Sequence, residues 1–348
     1  MDKKVAVITG ITGQDGAYLA EFLLKQDYRI VGIVRRSSHS DTTHRLRYLN
    51  IEQAIECIDG DILDVSSLCR IFRDVQPSEI YNFAAQSFVK TSWQQPLLTG
   101  QVTGMGAANV LEAVRLEAPR AHFYQASSSE MYGLARTSPQ NEHTPFHPRS
   151  PYAAAKLFAH CMTVNYTESF GIFACAGILF NHESPLRGHE FVTRKVSDGV
   201  ARIALGMATE LRMGNLDAQR DWGHARDYVE GIWVMLQQDE PDDYVLATGE
   251  AHSVREFVEL AFTHIGRPIE WCGEGIEECG IDLRTGDVLV RIDPQYLRPA
   301  EVHQLLGDPS KARRHLGWRH RTTFPELVCE MVDNDIAILR DEGRKPRG

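Results

Sequence analysis

The run "VITGITGQDGAYLAEFL", residues 7–23, constrains this chain more than any other, because it sets three glycines between a β-branched segment and a helical one. Gly10, Gly13 and Gly16 recur at every third position. Glycine permits a tight turn there and lets backbone N–H groups approach a ligand, while the start of the next helix adds partial positive charge. Strand, turn and helix at the head of a chain predict the first βαβ unit of a dinucleotide-binding sheet, with a pyrophosphate at the helix N-terminus. The plain alternative is a tight turn with no ligand.

The alternation continues downstream. "KVAVIT", "RIVGIV", "IECID", "EIYNFA" and "HFYQAS" read as strands. "QDGAYLAEFLLKQD", with Leu19, Phe22 and Leu23 on one face, and "TGMGAANVLEAVRLEAP" read as helices. This pattern predicts an α/β fold over residues 1–180, a doubly wound parallel Rossmann sheet with helices on both faces. Ligands of such sheets bind at the strand C-termini. After about Phe180 the pattern loosens, and helices are expected near 191–206, 253–265 and 324–340, the second opened by a Ser253/Glu256 capping box. Residues 181–340 are expected to form a smaller, interwoven C-terminal α/β substrate lobe, to which the chain may cross back, and 341–348 a flexible tail.

The bulk numbers exclude some functions. A formal charge of −10 argues against nucleic-acid binding, which needs a basic face. No apolar run reaches the ~18 residues of a membrane span, and "MDKKVAVITG" reads as a first strand, not a signal peptide. The seven cysteines form no CxxC pair, which predicts a reducing cytoplasm. "HESPLRGHE" lacks the fixed helical face of a metal motif, so no metal is expected.

Two further stretches carry chemistry. Where a carboxylate would close the second strand of an NAD-binding sheet, this chain has Arg35, Arg36, Ser37 and Ser38, which suit the 2′-phosphate of NADP. A solvated loop or an interface would use the same residues. Asp61 and Ile62 follow the third strand, placed to meet the adenine. In "RSPYAAAKLF", Ser150 is a helix N-cap, Pro151 the first helical residue, and Tyr152 and Lys156 lie one turn apart on one face. An ammonium beside a phenol favours the phenolate, which makes Tyr152 a candidate base.

With "NFAAQS" and the serine-rich end of "YQASSSEMYG", these motifs resemble an extended short-chain dehydrogenase/reductase. Longer runs, among them "GITGQDGAYLAE", "PRSPYAAAKL", "GILFNHESPLRG", "GNLDAQRDWGHARDYVE" and "RPAEV", resemble the GDP-mannose 4,6-dehydratase family over roughly residues 4–335. The resemblance implies a hydro-lyase that takes GDP-mannose to GDP-4-dehydro-6-deoxymannose through an internal redox cycle on NADP. It implies Tyr152 as base, Lys156 as its partner and a hold on the nicotinamide ribose, Ser128 on the sugar 4-oxygen, and Glu130 as the acid/base of the elimination. The family reads Thr-Ser-Glu where this chain has Ser128-Ser129-Glu130, which keeps the hydroxyl and loses a methyl.

The resemblance further implies a cofactor set of Gly10, Thr12, Gly13, Gln14, Asp15, Gly16, Arg35, Ser37, Asp61, Ile62, Ala84 and Ala85. It puts Ser87 on the hexose, Asn181 and Glu183 on the nucleotide sugar, and Val192 and Lys195 near guanine. Arg220 falls to the diphosphate, Arg298 and Glu301 to the ribose, and Ser129 and Gly214 also to the substrate. Family members are homodimers or homotetramers, and "VRRSSHSDTTHRL" would reach a neighbour's cofactor. A reductase of the 4-keto sugar, or a dehydratase of another nucleotide sugar, remains the nearest alternative. A non-catalytic NADP-sensing regulator is the alternative of a different class.

Overall fold

Strand interiors here are apolar almost from end to end, as a sheet covered on both faces requires. The structure is a computed structural model that describes residues 3–36, 42–296 and 304–344. Of the expected site, Ser37, Arg298 and Glu301 lie outside the described residues, as do residues 345–348 of the expected tail. The chain forms two units: residues 1–180, 225–249 and 307–320 make the first, and 181–224, 250–306 and 321–348 the second.

The first unit holds a seven-stranded sheet of β1 (Val5–Thr9), β2 (Arg29–Val34), β3 (Glu56–Asp59), β4 (Glu79–Asn82), β5 (His122–Ser128), β6 (Ala174–Leu179) and β7 (Tyr244–Leu246). Its order is β7-β6-β5-β4-β1-β2-β3, and every neighbouring pair is parallel. This is the doubly wound sheet expected from the alternation. The chain runs outward from β1 through β2 to β3 and then restarts on the other side with β4. The switch point between β1 and β4 is where such sheets bind ligands, beyond the strand C-termini. The glycine turn follows β1 there, and Phe83–Ser87 follow β4.

Helices α1 (Gln14–Lys25), α2 (Val65–Val75), α3 (Gly106–Glu117), α4 (Pro151–Phe170) and α5 (Ala225–Met235) belong to this unit. Helix α2 shows the local logic. Asp64 caps it by accepting from Ser66 N at 3.1 Å, Leu68, Ile71 and Phe72 fill its buried face, and the left-handed Gln76 ends it. That face packs with Val31, Ile80, Val110 and Phe123 in one apolar cluster. Burial of each such side chain contributes about 1.5–3 kcal/mol.

The second unit contains a four-stranded sheet of Ile269–Cys272, Cys279–Asp282, Val288–Ile292 and Leu211–Met213. Helices Val192–Ala204, Val254–His264 and Phe324–Arg344 pack together around Val196, Trp222, Phe257, Phe262, Leu327 and Met331. The Ser253/Glu256 capping box is formed as expected. A buried ion pair, Arg194 Nη2 to Asp335 Oδ1 at 2.7 Å, ties the first of these helices to the last.

Candidate active site

The glycine turn is built for close backbone approach. Gly10 has φ +69°, a region that favours glycine, and a Cβ placed there would lie 2.8 Å from Ala84 N. A Cβ on Gly16 would collide with the Gly10 carbonyl oxygen. Gly13, the N-cap of α1, offers no side chain to the first-turn N–H groups, which therefore keep their positive ends for an anion. This cradle fits the pyrophosphate of a dinucleotide. Gln14 and Asp15 open the helix, and Gln14 Nε2 donates to Asp15 Oδ1 at 3.0 Å. Arg45, which the sequence reading did not single out, donates from Nη1 to the Thr12 carbonyl at 3.1 Å and brings a guanidinium to the turn.

The remaining cofactor candidates of this unit sit at the same sheet edge. Arg35 and Arg36 follow β2 and are exposed, with Arg36 Nη1 3.8 Å from Asp59 Oδ2. After β3, Asp61 accepts from Leu63 N at 2.9 Å, and the buried Ile62 gives its carbonyl to Asn109. Ala84 N donates to Thr9 Oγ1 at 3.2 Å, Ala85 is half-buried and Ser87 is exposed.

Helix α4 brings the second set. Ser150 caps it by accepting from Ala153 N at 3.1 Å, and Pro151 fills its first position. Tyr152 is 8% exposed and Lys156 5%, so both polar heads face inward. Lys156 Nζ donates to the Ala126 carbonyl at 2.6 Å and lies 5.9 Å from the centre of the Tyr152 ring. Burial pushes this ammonium down to about 8, while the Asp15 carboxylate acts in the opposite direction.

Strand β5 ends opposite that helix. Ser128 Oγ accepts from Glu130 N at 3.2 Å and caps the short turn Ser129–Met131, which places Glu130 half-buried just past the strand. The Ser128 proton is left to donate elsewhere. Ser127 Oγ meets His160 Nδ1 at 3.1 Å. Burial holds His160 neutral, pushing it down to about 4. His160 stands two turns beyond Tyr152 and one beyond Lys156. The sequence reading missed it, although the spacing in "YAAAKLFAH" carried the signal.

In the second unit, Asn181–Glu183 pairs in parallel with Trp222–His224. Glu183 is 1% exposed and holds Thr193 Oγ1 at 2.6 Å and Arg187 Nε at 2.9 Å. Val192 opens the next helix, and Lys195 Nζ stands 3.0 Å from the centre of the Tyr296 ring. A Cβ on Gly214 would lie 2.6 Å from the Tyr296 carbonyl oxygen, so Lys195 and Gly214 converge on a tyrosine that the motifs did not flag. Arg220 is buried, with Nη1 donating to the Gln219 carbonyl at 2.8 Å.

The profile of the GDP-mannose 4,6 dehydratase family matches residues 7–331. A GDP-mannose 4,6-dehydratase of Sinorhizobium fredii is 56% identical, covering 97% of this chain and 98% of that protein. The chain belongs to the GDP-mannose 4,6-dehydratase family. A human member is 52% identical over 97% of this chain and 93% of its own length.

Among solved structures, the fold resembles DesIV, a dTDP-glucose 4,6-dehydratase of Streptomyces venezuelae, with a TM-score of 0.80 at 20% identity, covering 97% of this chain and 98% of that one. RMD of Pseudomonas aeruginosa, solved with NADPH, gives 0.76 at 21% identity, covering 97% and 100%. Family membership gives the Ser128–Glu130 strand end a context. A dehydratase needs an acid/base besides the Tyr–Lys pair that suffices for alcohol oxidation.

Proposed function

We propose that this family member is an NADP-dependent hydro-lyase that converts GDP-D-mannose to GDP-4-dehydro-6-deoxy-D-mannose. The observation that carries the reading is the pairing of Tyr152 and Lys156, both buried on α4, with a strand β5 that ends in Ser128 and is followed directly by the half-buried Glu130.

Gly10, Thr12, Gly13, Gln14, Asp15 and Gly16 would hold the cofactor pyrophosphate. Asp61, Ile62, Ala84 and Ala85 would line the adenine side, Arg35 and Ser37 would meet the 2′-phosphate, and Lys156 would hold the nicotinamide ribose. A nicotinamide held there would supply a reversible hydride acceptor, so that no redox equivalent is consumed over the cycle.

Tyr152 takes the proton of the sugar 4-hydroxyl. Its phenolate is favoured by the Lys156 ammonium, still the major form at neutral pH with a pKa of about 8. Ser128 donates its hydroxyl proton to the 4-oxygen, while its own oxygen accepts from Glu130 N. The 4-ketone acidifies the C5 proton, which Glu130 removes. The same carboxyl, now protonated, delivers its proton to the leaving 6-hydroxyl, which departs as water. As C6 regains the hydride, C5 takes the proton that Tyr152 removed from the 4-hydroxyl, which closes the proton count and returns both side chains to their starting state.

Ser87 and Ser129 on the hexose side, and Asn181, Glu183, Val192, Lys195, Gly214, Arg220, Arg298 and Glu301 for the GDP moiety, complete the proposed substrate set. The buried Glu183 acts by fixing Arg187.

We also read the protein as a homodimer or homotetramer of the cytoplasm. Trp93, Leu97, Leu98, Met105 and Phe158 are exposed on helices that pack on α4 or in α4 itself, and Leu97 is 82% exposed. All seven cysteines are free, which suits a reducing compartment. Among the described residues, no helix is long and apolar enough to cross a membrane.

Incubating the purified protein with GDP-mannose and no added cofactor tests the function. The expected product is lighter by one water. Unchanged substrate, with NADPH oxidised only when a 4-keto sugar is supplied, would assign a reductase instead.

A further inference from the structure

A line of buried polar side chains crosses three adjacent strands at the level where β1 and β4 end. Ala84 N donates to Thr9 Oγ1 at 3.2 Å, and the Thr9 hydroxyl donates to Asn82 Oδ1 at 2.6 Å. Asn82 Nδ2 donates to Gln125 Oε1 at 2.8 Å, and Gln125 Nε2 donates to the Ala126 carbonyl at 3.1 Å. That carbonyl also receives Lys156 Nζ at 2.6 Å. Thr9 faces Asn82, and Asn82 faces Gln125, in the strand register itself. None of Thr9, Asn82, Gln125 and Lys156 is more than 5% exposed.

The row has one sense. A backbone N–H can only donate, so the Thr9 oxygen accepts from Ala84 and its proton must go to Asn82. That leaves Asn82 its amide protons for Gln125, and Gln125 its own for Ala126. Each donor fixes the next, and the dipoles add head to tail. At the far end, an amide of the strand locks the carbonyl of the following residue, the one that holds the lysine. At the near end stands Ala84, beside the glycine turn.

We propose that Thr9, Asn82 and Gln125 are positioning residues for Lys156, carrying the placement of the Ala84 backbone to the carbonyl that holds the lysine head group. The row explains why amides occupy buried strand positions where apolar residues would pack at no polar cost. A buried ammonium needs a fixed acceptor, and a carbonyl is only as fixed as its peptide plane. The kinetic part of the proposal rests on the role assigned to Lys156 under the proposed function, whereas the electrostatic part does not. Gln125 points the positive end of its amide at the oxygen shared with Lys156. Loss of that orientation therefore favours the charged lysine.

The experiment uses Thr9→Val, which keeps the shape and removes the hydroxyl, Thr9→Ser, which restores it, and Gln125→Leu, which removes the amide. Two readouts are taken. One is the pH midpoint of Lys156 labelling by a small amine-reactive reagent, followed by peptide mass spectrometry on protein without substrate. The other is kcat and KM for GDP-mannose, measured separately. The other groups facing Lys156, the Asp15 carboxylate and the Tyr152 ring, are untouched by these substitutions.

Thr9→Val and Gln125→Leu are expected to raise the labelling midpoint by about half a pH unit or more. They should lower kcat by about tenfold to a hundredfold, the scale of a small misplacement, with little change in KM. Thr9→Ser should return both values to those of the parent. A wild-type midpoint and wild-type kcat in either folded variant overturns the proposal. So does a loss of activity matched by loss of folded protein and not rescued by Thr9→Ser. If the parent leaves GDP-mannose untouched while the midpoint still moves, the functional reading fails and the positioning row stands.

Discussion

Lys156 follows Tyr152 by one helical turn, with its ammonium 5.9 Å from the centre of the Tyr152 ring and 2.6 Å from the Ala126 carbonyl oxygen. One buried cation thus holds a carbonyl of β5 and stands beside the Tyr152 ring. Desolvation works against it, and the Asp15 carboxylate offsets part of that cost. The proposed chemistry depends on this balance. An unanchored lysine would not hold its position beside the Tyr152 ring.

Stability should improve when this lysine is removed. Burial lowers Lys156 from 10.5 to about 8. Between those values the unfolded chain holds a proton that the folded chain has released, so stability rises with pH across the window. Below about 8 both states are charged, and the whole penalty is present. Lys156→Met should therefore be more stable than the parent at pH 7 by on the order of 2 kcal/mol, with the gap closing toward pH ~10.5. Urea titrations across that range give the gap, and the same variant should be nearly inactive.

Tyr152→Phe should reduce turnover of GDP-mannose by about 10²–10⁴-fold, the usual contribution of a positioned acid/base. KM should change little. A variant with more than about a tenth of parental kcat would remove Tyr152 from the proton-transfer step.

Glu130→Gln separates the two halves of the reaction. The amide keeps the shape of the carboxyl but can neither remove the C5 proton nor return it to the 6-hydroxyl. Oxidation at C4 should persist, seen as a single-turnover rise in nicotinamide absorbance, while water loss stops.

How far such roles could be read in advance depended on whether their signals were local. The glycine turn, the Tyr152/Lys156 spacing and the Ser253/Glu256 box are each made by residues only a few positions apart, and each took the expected local form. Strands β1 to β5 were legible from β-branched runs. Thr9, Asn82 and Gln125 were not, because each stands on a different strand, and only the pairing of three strands makes them a row. Tyr296 was hidden for the same reason, since it meets Lys195 and Gly214 only after long stretches of chain have folded. The assignment of 225–249 and 307–320 to the first unit follows from strand β7 adding beside β6, a pairing that no local pattern encodes.

Acid stability should expose the pair behind the strand end. His160 Nε2 lies 3.7 Å from Asp243 Oδ2. Burial lowers His160 to about 4, so the unfolded chain gains its proton first, and this group costs stability as pH falls from 6.5. Burial raises Asp243 to about 6, so the folded chain gains that proton first, and stability rises as pH falls toward 3.8. The two effects oppose each other. Asp243→Asn keeps an acceptor for Ala176 N but removes the compensating proton. Its melting temperature should fall more steeply than the parent's between pH 6 and 4, by up to about 1.4 kcal/mol per pH unit in free-energy terms. Parallel curves would show that the two groups do not offset one another.

Cofactor choice should follow Arg35. It is exposed after β2 and is the proposed partner of a 2′-phosphate. Arg35→Glu should weaken NADPH binding to cofactor-stripped protein by at least about tenfold and leave NADH binding within about twofold, since a lost charge-assisted pair costs about 1.5–3 kcal/mol. Fluorescence titration with each nucleotide measures both.

The central claim is that one site oxidises C4, expels the 6-hydroxyl and reduces C6 with the same hydride. GDP-mannose carrying deuterium at C4 tests it most directly, by mass spectrometry and NMR of the product. The account predicts a product lighter by one water with the deuterium at C6 and no cofactor consumed. A product that has lost the deuterium to solvent, or a substrate recovered without loss of water, would contradict it.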